Sequence, residues 1–381
     1  MSDSSTLTAT ERDLIDAARA FTAQTITPNA AGWERNKQYP RDAQRISAAF
    51  GLPGMLVPPA DGGLGVSWTA AARVLEELAR GCMGFTFGAI VHANLALSLS
   101  GNGSPHLKEK FLSDLLSFEK VGAFLLTEPG VGSDAQAVAA LARPDGDGWI
   151  LNGEKAWISS ASDAGVLSIY AQTDPDAGGR GLMAFLIEAD RPGVERLPAY
   201  DMAGGHALGT GGFRFTDVRL TADDVLLPRE KAFRGAMTGI DSARFFVGAI
   251  CVGMLSAALE RSLDYVRNRP AFGQTLGDFQ GVQWMLADVA TDLEAARLLT
   301  YRATALADAG ENATLAAAHA KKFATRIALT RLADCMQVMG AHGLKIEEPV
   351  ARHLACAKMT QYMDGATEIQ NVVIARGLMR T

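Results

Sequence analysis

Two stretches near the middle of the chain place hydroxyl groups beside glycine-rich backbone. Residues 123–134 begin as an apolar run, which is typical of a buried strand, and then break into a loop that carries Thr127, Ser133 and two glycines. Residues 152–159 follow as a turn and a strand with an aromatic residue and another hydroxyl. Because glycine lets the backbone approach a ligand closely, these stretches together indicate a site for a flat or phosphorylated ligand.

A carboxylate that could act as a base lies near the end of the chain. Asp364 is followed by Gly365 and precedes a predicted helix that begins at about Thr367. An aspartate in this position is usually a helix N-cap, because its carboxylate accepts hydrogen bonds from the first unpaired N–H groups of the helix. On local grounds alone, a cap is the simpler interpretation of Asp364.

Composition restricts the class of protein. The 381 residues are 48% hydrophobic and 20% charged, which is ordinary for a globular chain of two or three domains, and the net charge of −6 argues against a nucleic-acid partner. Cys82, Cys251, Cys335 and Cys356 lack metal-type spacing, so we expect free thiols and no metal. The first residues do not resemble a signal peptide, and the apolar run 245–259 is too short to span a bilayer. We therefore expect a cytoplasmic protein without a membrane span.

Three regions differ in their hydrophobic periodicity, and together they predict an α+β fold. Residues 1–120 are predicted to be helical, and Thr8 and Glu11 match a capping box at the first helix. Residues 121–228 predict a β domain, a barrel or a sandwich, with short strands at 148–151, 165–172, 181–188 and 212–220. Residues 229–381 contain long amphipathic stretches, which predict a bundle of four or five helices.

The motifs resemble those of the acyl-CoA dehydrogenase flavoproteins. Residues 127–134 read Thr-Glu-Pro-Gly-x-Gly-Ser-Asp, residues 152–159 read Asn-Gly-x-Lys-x-Trp-Ile-Ser, and Ile369-Gln370 is followed by the family's Val-Ile-Ala-Arg. The resemblance covers nearly the whole chain. It implies an N-terminal helical domain, a central β-barrel or sandwich and a C-terminal four-helix bundle, with FAD in the cleft. The implied reaction is the α,β-dehydrogenation of an acyl-CoA thioester.

The resemblance changes the interpretation of Asp364. In the family, a glutamate at this position removes the α-proton of the thioester while flavin N5 accepts the β-hydride, so we predict that Asp364 is the base. Its side chain is shorter than glutamate by one C–C bond, about 1.5 Å. Some relatives carry their glutamate on an earlier helix, where this chain has Ala243. Family members that act on cyclohexanecarboxyl-CoA-like substrates carry aspartate as base. We therefore expect an alicyclic or branched acyl-CoA, such as cyclohexane-1-carboxyl-CoA.

The resemblance also assigns contacts to individual residues. The expected cofactor contacts are Leu126, Thr127, Trp157, Ser159, Arg269, Phe272, Gln280, Gln337, Gly340, Ala366 and Glu368. The expected substrate contacts are Ser133, Asp241, Arg244, Met363 and Gly365, with Phe85, Phe87 and Ile90 as candidates for the pocket wall. In the family, the arginine at position 269 reaches the flavin pyrophosphate of a neighbouring subunit, which implies a homotetramer. The implied electron acceptor is an electron-transfer flavoprotein.

Simpler structural roles remain open for several of these residues. Asp241 and Arg244 could form a solvated ion pair three residues apart on a helix. Gly340 could be a helix C-cap, which glycine favours because it adopts left-handed backbone conformations. His342 is predicted to be a capping or surface histidine rather than a catalytic one.

Other reactions on the same fold are the alternatives. A sulfinoacyl-CoA desulfinase is one of them, but such relatives typically lack a carboxylate base, so Asp364 counts against it. Nitroalkane oxidase pairs its aspartate with an arginine seven residues later, where this chain has Asn371. A DNA-associated flavoprotein of the adaptive-response type would carry a basic C-terminal extension, whereas this chain ends at Thr381 and is acidic.

Overall fold

The computed structural model describes residues 7–379, and their first part is helical. The helices are α1 (Ala9–Phe21), α2 (Thr27–Arg35), α3 (Arg41–Ala48), α4 (Trp68–Ala79), α5 (Met83–Asn102) and α6 (Pro105–Leu116). Thr8 and Glu11 form the predicted capping box, in which each side chain bonds the backbone of the other. A π-helical turn, Thr22–Ile26, joins α1 to α2 just before Pro28, which has no N–H group for a regular helical hydrogen bond.

The central region forms one mixed sheet of eight strands. The strands are β1 (Val121–Leu125), β2 (Leu141–Asp145), β3 (Gly148–Ile158), β4 (Ala164–Gln172), β5 (Leu182–Glu188), β6 (Val194–Arg196), β7 (Gly211–Leu220) and β8 (Val225–Leu227). Their order is β6-β7-β3-β2-β4-β5-β8, and β1 pairs in parallel with β4. This pairing sets Leu125, the last residue of β1, opposite Ile169. The loop that leaves β1 therefore starts beside the second half of β4.

Strand β3 is longer than the sequence indicated. We predicted a strand at 148–151 and a turn at 152–153, whereas the strand continues to Ile158 with a register shift at Gly153. Gly153 has a φ of 139°, and a Cβ atom there would lie only 2.7 Å from the Cα atom of Ala140. The glycine therefore makes a bulge inside a strand instead of ending it.

The last part of the chain is a helical bundle with a small hairpin. Its elements are α7 (Arg229–Asn268), β9 (Pro270–Ala271), β10 (Gln274–Thr275), α8 (Gln280–Asp308), α9 (Thr314–Met339), α10 (Pro349–Thr360) and α11 (Thr367–Leu378). Helix α7 packs along both α8 and α9. A short loop joins α8 to α9, so these two helices are antiparallel neighbours, as in other bundles.

Helices α5 and α7 form the centre of the molecule. Both are long and apolar enough to cross a membrane by length and composition alone, but 78% and 89% of their apolar stretches are buried inside the protein. The apolar run 245–259 lies in the middle of α7. Residues of α4, α5 and α7 share one hydrophobic core, and α5 also packs against β1. As a result, α5, α7 and the β1–β4 pair surround a common space.

Candidate active site

Asp364 lies in the loop between α10 and α11. Its backbone has a φ of 50°, in the left-handed region that aspartate tolerates better than most residues. The N-cap of α11 is Ala366, so the interpretation of Asp364 as a helix cap is wrong. Within residues 7–379, the buried Oδ2 atom of Asp364 has no hydrogen-bond partner. This carboxylate oxygen is therefore free to accept a proton from a ligand.

The surroundings of Asp364 make its carboxylate more basic. Burial raises the pKa of Asp364 to about 6, although the cations of Lys321 and Arg244 act in the opposite direction. The cause is the loss of hydration, which destabilises the charged form. A general base works best when its pKa lies near the working pH, so the site favours Asp364 as a proton acceptor.

Lys321 holds the loop that carries Asp364, and the sequence analysis missed it. This lysine is fully buried on α9. Its Nζ donates to the carbonyl oxygen of Gly365 at 2.8 Å and to that of Gln361 at 3.4 Å, while Gln370 Nε2 donates to the same Gly365 oxygen at 2.9 Å. The sequence did contain a signal for it, since Lys321 lies among the alanines of α9. A lysine buried on an apolar helix face needs polar partners inside the protein, so it was a candidate for a structural role.

Arg244 forms the ion pair with Asp241 and also contacts the Asp364 loop, while its contact with a substrate stays a prediction. It is buried on α7, and its guanidinium pairs with Asp241 one turn earlier. The Nε atom of Arg244 also lies 3.4 Å from the carbonyl oxygen of Asp364. Thr314 of α9 donates to the second oxygen of Asp241 at 2.8 Å. The ion pair is therefore part of the wall that supports the Asp364 loop rather than a solvated surface pair.

A cavity of about 100 Å³ opens next to Asp364 between α5, α7, β1 and β4. We call it the Asp364 cavity, and its walls are Phe87, Ile90, Val91, Asn94, Leu95, Ser98, Phe124, Ser168, Tyr170, Gly235, Gly239, Ile240, Ala243 and Asp364 itself. Phe87 and Ile90 line it as expected. The prediction for Phe85 is wrong, because that ring is fully buried against Trp33 and Phe21 on another face of α5.

The two sequence motifs meet at a second surface. The N–H group of Ala156 donates to the carbonyl oxygen of Thr127 at 3.0 Å, which joins the β1 loop to β3. Trp157 follows with a φ of 59°, and its side chain is 61% exposed and packs against Tyr200 at 4.7 Å between ring centroids. Ser159 lies two residues later on the same segment. An open aromatic surface beside two hydroxyl groups fits a flat ring.

A buried ion pair lies behind this surface, and sequence reasoning did not find it. Lys155 and Glu128 are 0% and 6% exposed, and the Nζ atom of Lys155 is 2.7 Å from Glu128 Oε1. Lys155 also donates to the carbonyl oxygen of Leu126 at 2.9 Å. The two oxygens of Glu128 accept from the N–H groups of Ala139 and Ala140 at 2.8 and 2.9 Å. The pair therefore fixes the loop that presents Leu126 and Thr127.

Another set of predicted cofactor residues lies far from Asp364 within one chain. Arg269, Phe272, Gln280, Gln337 and Gly340 are all exposed. Arg269 ends α7, 25 residues after Arg244, which is about 37 Å along the helix. Gln337 lies 16 residues after Lys321 on α9, about 24 Å away. A single chain does not bring these residues to the Asp364 cavity.

Residues near the end of α9 have structural contacts as well. Gly340 is the C-cap of α9 with a φ of 58°, which is the alternative that the sequence left open. His342 is half-buried, stacks on Tyr265 and lies 2.7 Å from Glu348 through its Nε2 atom. His342 is therefore a partly exposed histidine with structural contacts, and its non-catalytic role stays a prediction.

The remaining predicted residues occupy two loops. Ser133 is exposed in the loop that follows Thr127. Met363 is half-buried and packs against the helical core, and Gly365 contributes its carbonyl oxygen to Lys321. Glu368 is exposed in the first turn of α11. The structure thus places Met363 and Gly365 next to Asp364 in the loop between α10 and α11, and Ser133 in the loop after β1.

A buried, unpartnered carboxylate at the wall of a cavity is typical of an enzyme active site, and the open aromatic surface at Trp157 suits a flat cofactor. Family models for acyl-CoA dehydrogenases match the chain in three parts: the N-terminal domain at residues 8–119, the middle domain at 123–218 and the C-terminal domain at 232–379. The chain therefore belongs to the acyl-CoA dehydrogenase family. It is an oxidoreductase that acts on the CH–CH bond of an acyl-CoA, and its cofactor is FAD.

Individual relatives cover almost the whole chain. The mitochondrial short-chain specific acyl-CoA dehydrogenase of Bos taurus is 35% identical over 98% of this chain and 91% of its own length. The cyclohex-1-ene-1-carbonyl-CoA dehydrogenase of Syntrophus aciditrophicus (strain SB) is 34% identical over 98% and 91%. The solved butyryl-CoA dehydrogenase from Megasphaera elsdenii has a TM-score of 0.94 and 32% identity, with 98% of this chain and 99% of that chain covered.

Proposed function

We propose that this enzyme dehydrogenates an alicyclic or α-branched acyl-CoA, with cyclohexane-1-carboxyl-CoA as the best candidate and Asp364 as the base. The observation that carries the proposal is the buried, unpartnered Oδ2 atom of Asp364 at the wall of the Asp364 cavity. Bound FAD would supply the acceptor for the β-hydride. Leu126, Thr127, Trp157 and Ser159 are the residues that would hold its ring system.

The chain's own residues would handle the α-proton. Asp364 takes it on Oδ2, because the raised pKa, near 6, makes the carboxylate a stronger base while it is still ionised at neutral pH. Among the described residues, the N–H group of Asp364 has no backbone acceptor. This donor is therefore available to polarise the thioester carbonyl, as donors do in an oxyanion hole.

We propose a cyclic acyl group because the Asp364 side chain is short and its loop is held in place. An aspartate reaches about 1.5 Å less far than a glutamate. Lys321 and Gln370 both bind the carbonyl oxygen of Gly365, so the loop is held in place and does not easily move Asp364 forward. A ring or branch at the α-carbon would bring that carbon closer to the short base. The Syntrophus relative, named for a cyclohexene-carbonyl thioester, is consistent with this assignment.

The experiment that tests the proposal is an anaerobic titration of the FAD-loaded protein. Cyclohexane-1-carboxyl-CoA should bleach the visible flavin band rapidly, and butyryl-CoA should do so at least about tenfold more slowly, since a 1 Å error in position has a large effect on rate. A butyryl-CoA preference would contradict the alicyclic assignment. Absence of bleaching by both thioesters would instead favour a sulfinoacyl-CoA desulfinase or a nitroalkane oxidase-like reaction.

Replacement of Lys321 with methionine should move the pH dependence of the reaction. In the wild type, kcat/KM should rise with pH through about 6, because Asp364 accepts a proton only as the carboxylate. Loss of the Lys321 cation favours the protonated carboxyl, so the midpoint should shift to higher pH. The shift is measured from kcat/KM between pH 5 and 8. Lys322→Met, at the next position of α9, is the matched control, and an unchanged or lower midpoint in Lys321→Met would contradict the assigned role.

We also propose a homotetramer in the cytoplasm, with an electron-transfer flavoprotein as acceptor. The separation of about 37 Å between Arg244 and Arg269 on α7 supports the assembly, because Arg269 would then serve a flavin in a neighbouring subunit. Phe272 and Trp284 are 96% and 62% exposed at that end of the bundle, which suits a contact between chains. Sedimentation should give a mass four times the 40.3 kDa of the chain, and a monomeric mass would rule out shared sites.

A further inference from the structure

Four neutral polar side chains line the Asp364 cavity. Ser168 and Tyr170 lie two residues apart on β4 and therefore on one face of the strand. Asn94 and Ser98 lie four residues apart on α5 and therefore on one face of the helix. Ser168 and Tyr170 are only 2% and 3% exposed. The cavity thus has hydrogen-bonding groups on two of its walls.

In the part of the chain that the structure describes, the side chains of Ser168, Tyr170, Asn94 and Ser98 make no hydrogen bond. Buried polar groups are normally paired, and an unpaired one is costly. A pure hydrocarbon acyl group would displace water from the cavity and leave these groups unpaired.

The packing of the Tyr170 ring fixes the position of its hydroxyl group. The ring packs against Phe124 with centroids 5.1 Å apart, and Phe124 belongs to the strand that leads into the Thr127 loop. Burial raises the pKa of Tyr170, so its hydroxyl stays protonated and can donate as well as accept a hydrogen bond. A fixed donor of this kind can recognise an oxygen atom at a defined position on a ligand.

The charge of the cavity narrows the class of ligand. Among the described residues that line it, Asp364 alone is charged, and lysine, arginine and histidine are absent. A carboxylate on the acyl group would find no cation there, and an ammonium group would compete for the base. The walls therefore match a neutral oxygen substituent.

We propose that the Asp364 cavity selects an acyl group with a hydroxyl or keto group remote from the thioester, recognised by Tyr170 and Asn94. The inference rests on the proposed function, since it names the substrate class of the same site. A hydroxylated cyclohexane-1-carboxyl-CoA has both required features. Its α-carbon belongs to a ring, which favours proton removal by Asp364, and its hydroxyl group can bond the polar side chains of the cavity. Sites that hydrogen-bond a substrate hydroxyl discriminate strongly against the analogue that lacks it.

The test compares cyclohexane-1-carboxyl-CoA with its 3- and 4-hydroxy and its 3- and 4-keto derivatives on the FAD-loaded enzyme. At least one hydroxy isomer should show a kcat/KM about tenfold or more above that of the parent ring. Tyr170→Phe should remove most of this preference, measured as the ratio of kcat/KM for the hydroxy derivative to kcat/KM for the parent ring. Tyr265→Phe is the matched control, because Tyr265 stacks on His342 outside the cavity. Calorimetric binding of the same thioesters to Asp364→Asn should show the preference in affinity, without turnover.

The outcomes separate the inference from the proposed function. Equal kcat/KM values for the parent ring and its hydroxy and keto derivatives, with flavin bleaching by each, would overturn the inference and leave the dehydrogenase assignment intact. A preference that survives both Tyr170→Phe and Asn94→Leu would overturn the assignment of these two residues. Failure of all the ring thioesters to bleach the flavin would overturn the proposed function itself.

Discussion

Replacing Asp364 with asparagine should lower the rate of flavin reduction by acyl-CoA by at least about 10³-fold, while acyl-CoA still binds. Asparagine has nearly the same shape as aspartate but cannot accept the α-proton. The buried Oδ2 atom of Asp364 makes no hydrogen bond within residues 7–379, so the substitution removes no native contact of that atom. Stopped-flow reduction and calorimetric binding measure the two effects separately.

The same substitution should stabilise the fold in a pH-dependent manner. The folded-state pKa of Asp364 lies above the usual value, near 6 instead of 3.8, so burial of its carboxylate lowers stability above pH 6. Asp364→Asn should therefore raise the free energy of unfolding by up to about 3 kcal/mol at pH 8. The gain should shrink as the pH falls from 6 and vanish below the unfolded-state pKa of 3.8, where the wild-type carboxyl is protonated in both states.

Asp364→Glu is the control for the identity of the base. It keeps a carboxylate and extends its reach by about 1.5 Å. Flavin reduction should persist, and the preference should move from the ring thioester toward butyryl-CoA. An Asp364→Asn variant that keeps more than about a tenth of the wild-type rate would show that another group removes the proton.

Replacing Lys155 with methionine should lower the free energy of unfolding by about 3–5 kcal/mol. The change leaves the Glu128 carboxylate buried without its cation and removes the donor to the Leu126 carbonyl. Removing one partner of a buried ion pair lowers the free energy of unfolding by more than the net contribution of the pair, because the remaining charge is unpaired in a medium of low polarity. Urea unfolding of the variant and the wild type measures the difference.

The same substitution should also weaken FAD binding at the surface formed by Thr127, Trp157 and Ser159. Lys155 and Glu128 together hold the loop that carries Thr127, and the carbonyl of Thr127 accepts from Ala156. Loosening of this loop should weaken the retention of FAD during gel filtration. The double variant Lys155→Met/Glu128→Leu should recover part of the lost stability, since it contains no unpaired charge.

Glu154→Gln is the matched control for the Lys155 prediction. Glu154 lies one position earlier on β3, and its ion pair with Arg214 is solvent-exposed, at 36% and 49%. Such exposed pairs contribute at most about 1 kcal/mol, so this variant should be nearly as stable as the wild type. A Lys155→Met variant that is equally stable would show that the buried pair does not hold the loop.

Local patterns in the sequence predicted much of the fold. The capping box of Thr8 and Glu11 marked the start of α1, and the helical pattern predicted for residues 1–120 agrees with α1 to α6 in its described part, residues 7–120. Both signals depend on neighbouring residues, whose hydrogen bonds form within one helical turn. The α+β class and the order of its three regions followed from the same periodicities.

Gly153 and Phe85 show where local patterns failed. Asn152-Gly153 is a common turn signal, but pairing with the neighbouring strands converts it into a bulge within β3. Phe85 and Phe87 are both apolar residues of α5, yet only Phe87 lines the cavity. Residues two positions apart on a helix point in different directions, so the choice between them depends on which face the rest of the protein covers.

The sequence by itself determined the family, the cofactor and the position of the candidate base, because short motifs carry these signals. It did not decide whether Asp364 caps a helix or faces a cavity, since an aspartate before a glycine and a helix suits both roles. Lys321 and Lys155 acquired their meaning only from tertiary structure. Their partners Gly365 and Glu128 lie 44 and 27 residues away in sequence, and packing alone brings such groups together in a dry interior. The polar walls of the cavity arose in the same way, because α5 and β4 meet only in the folded protein.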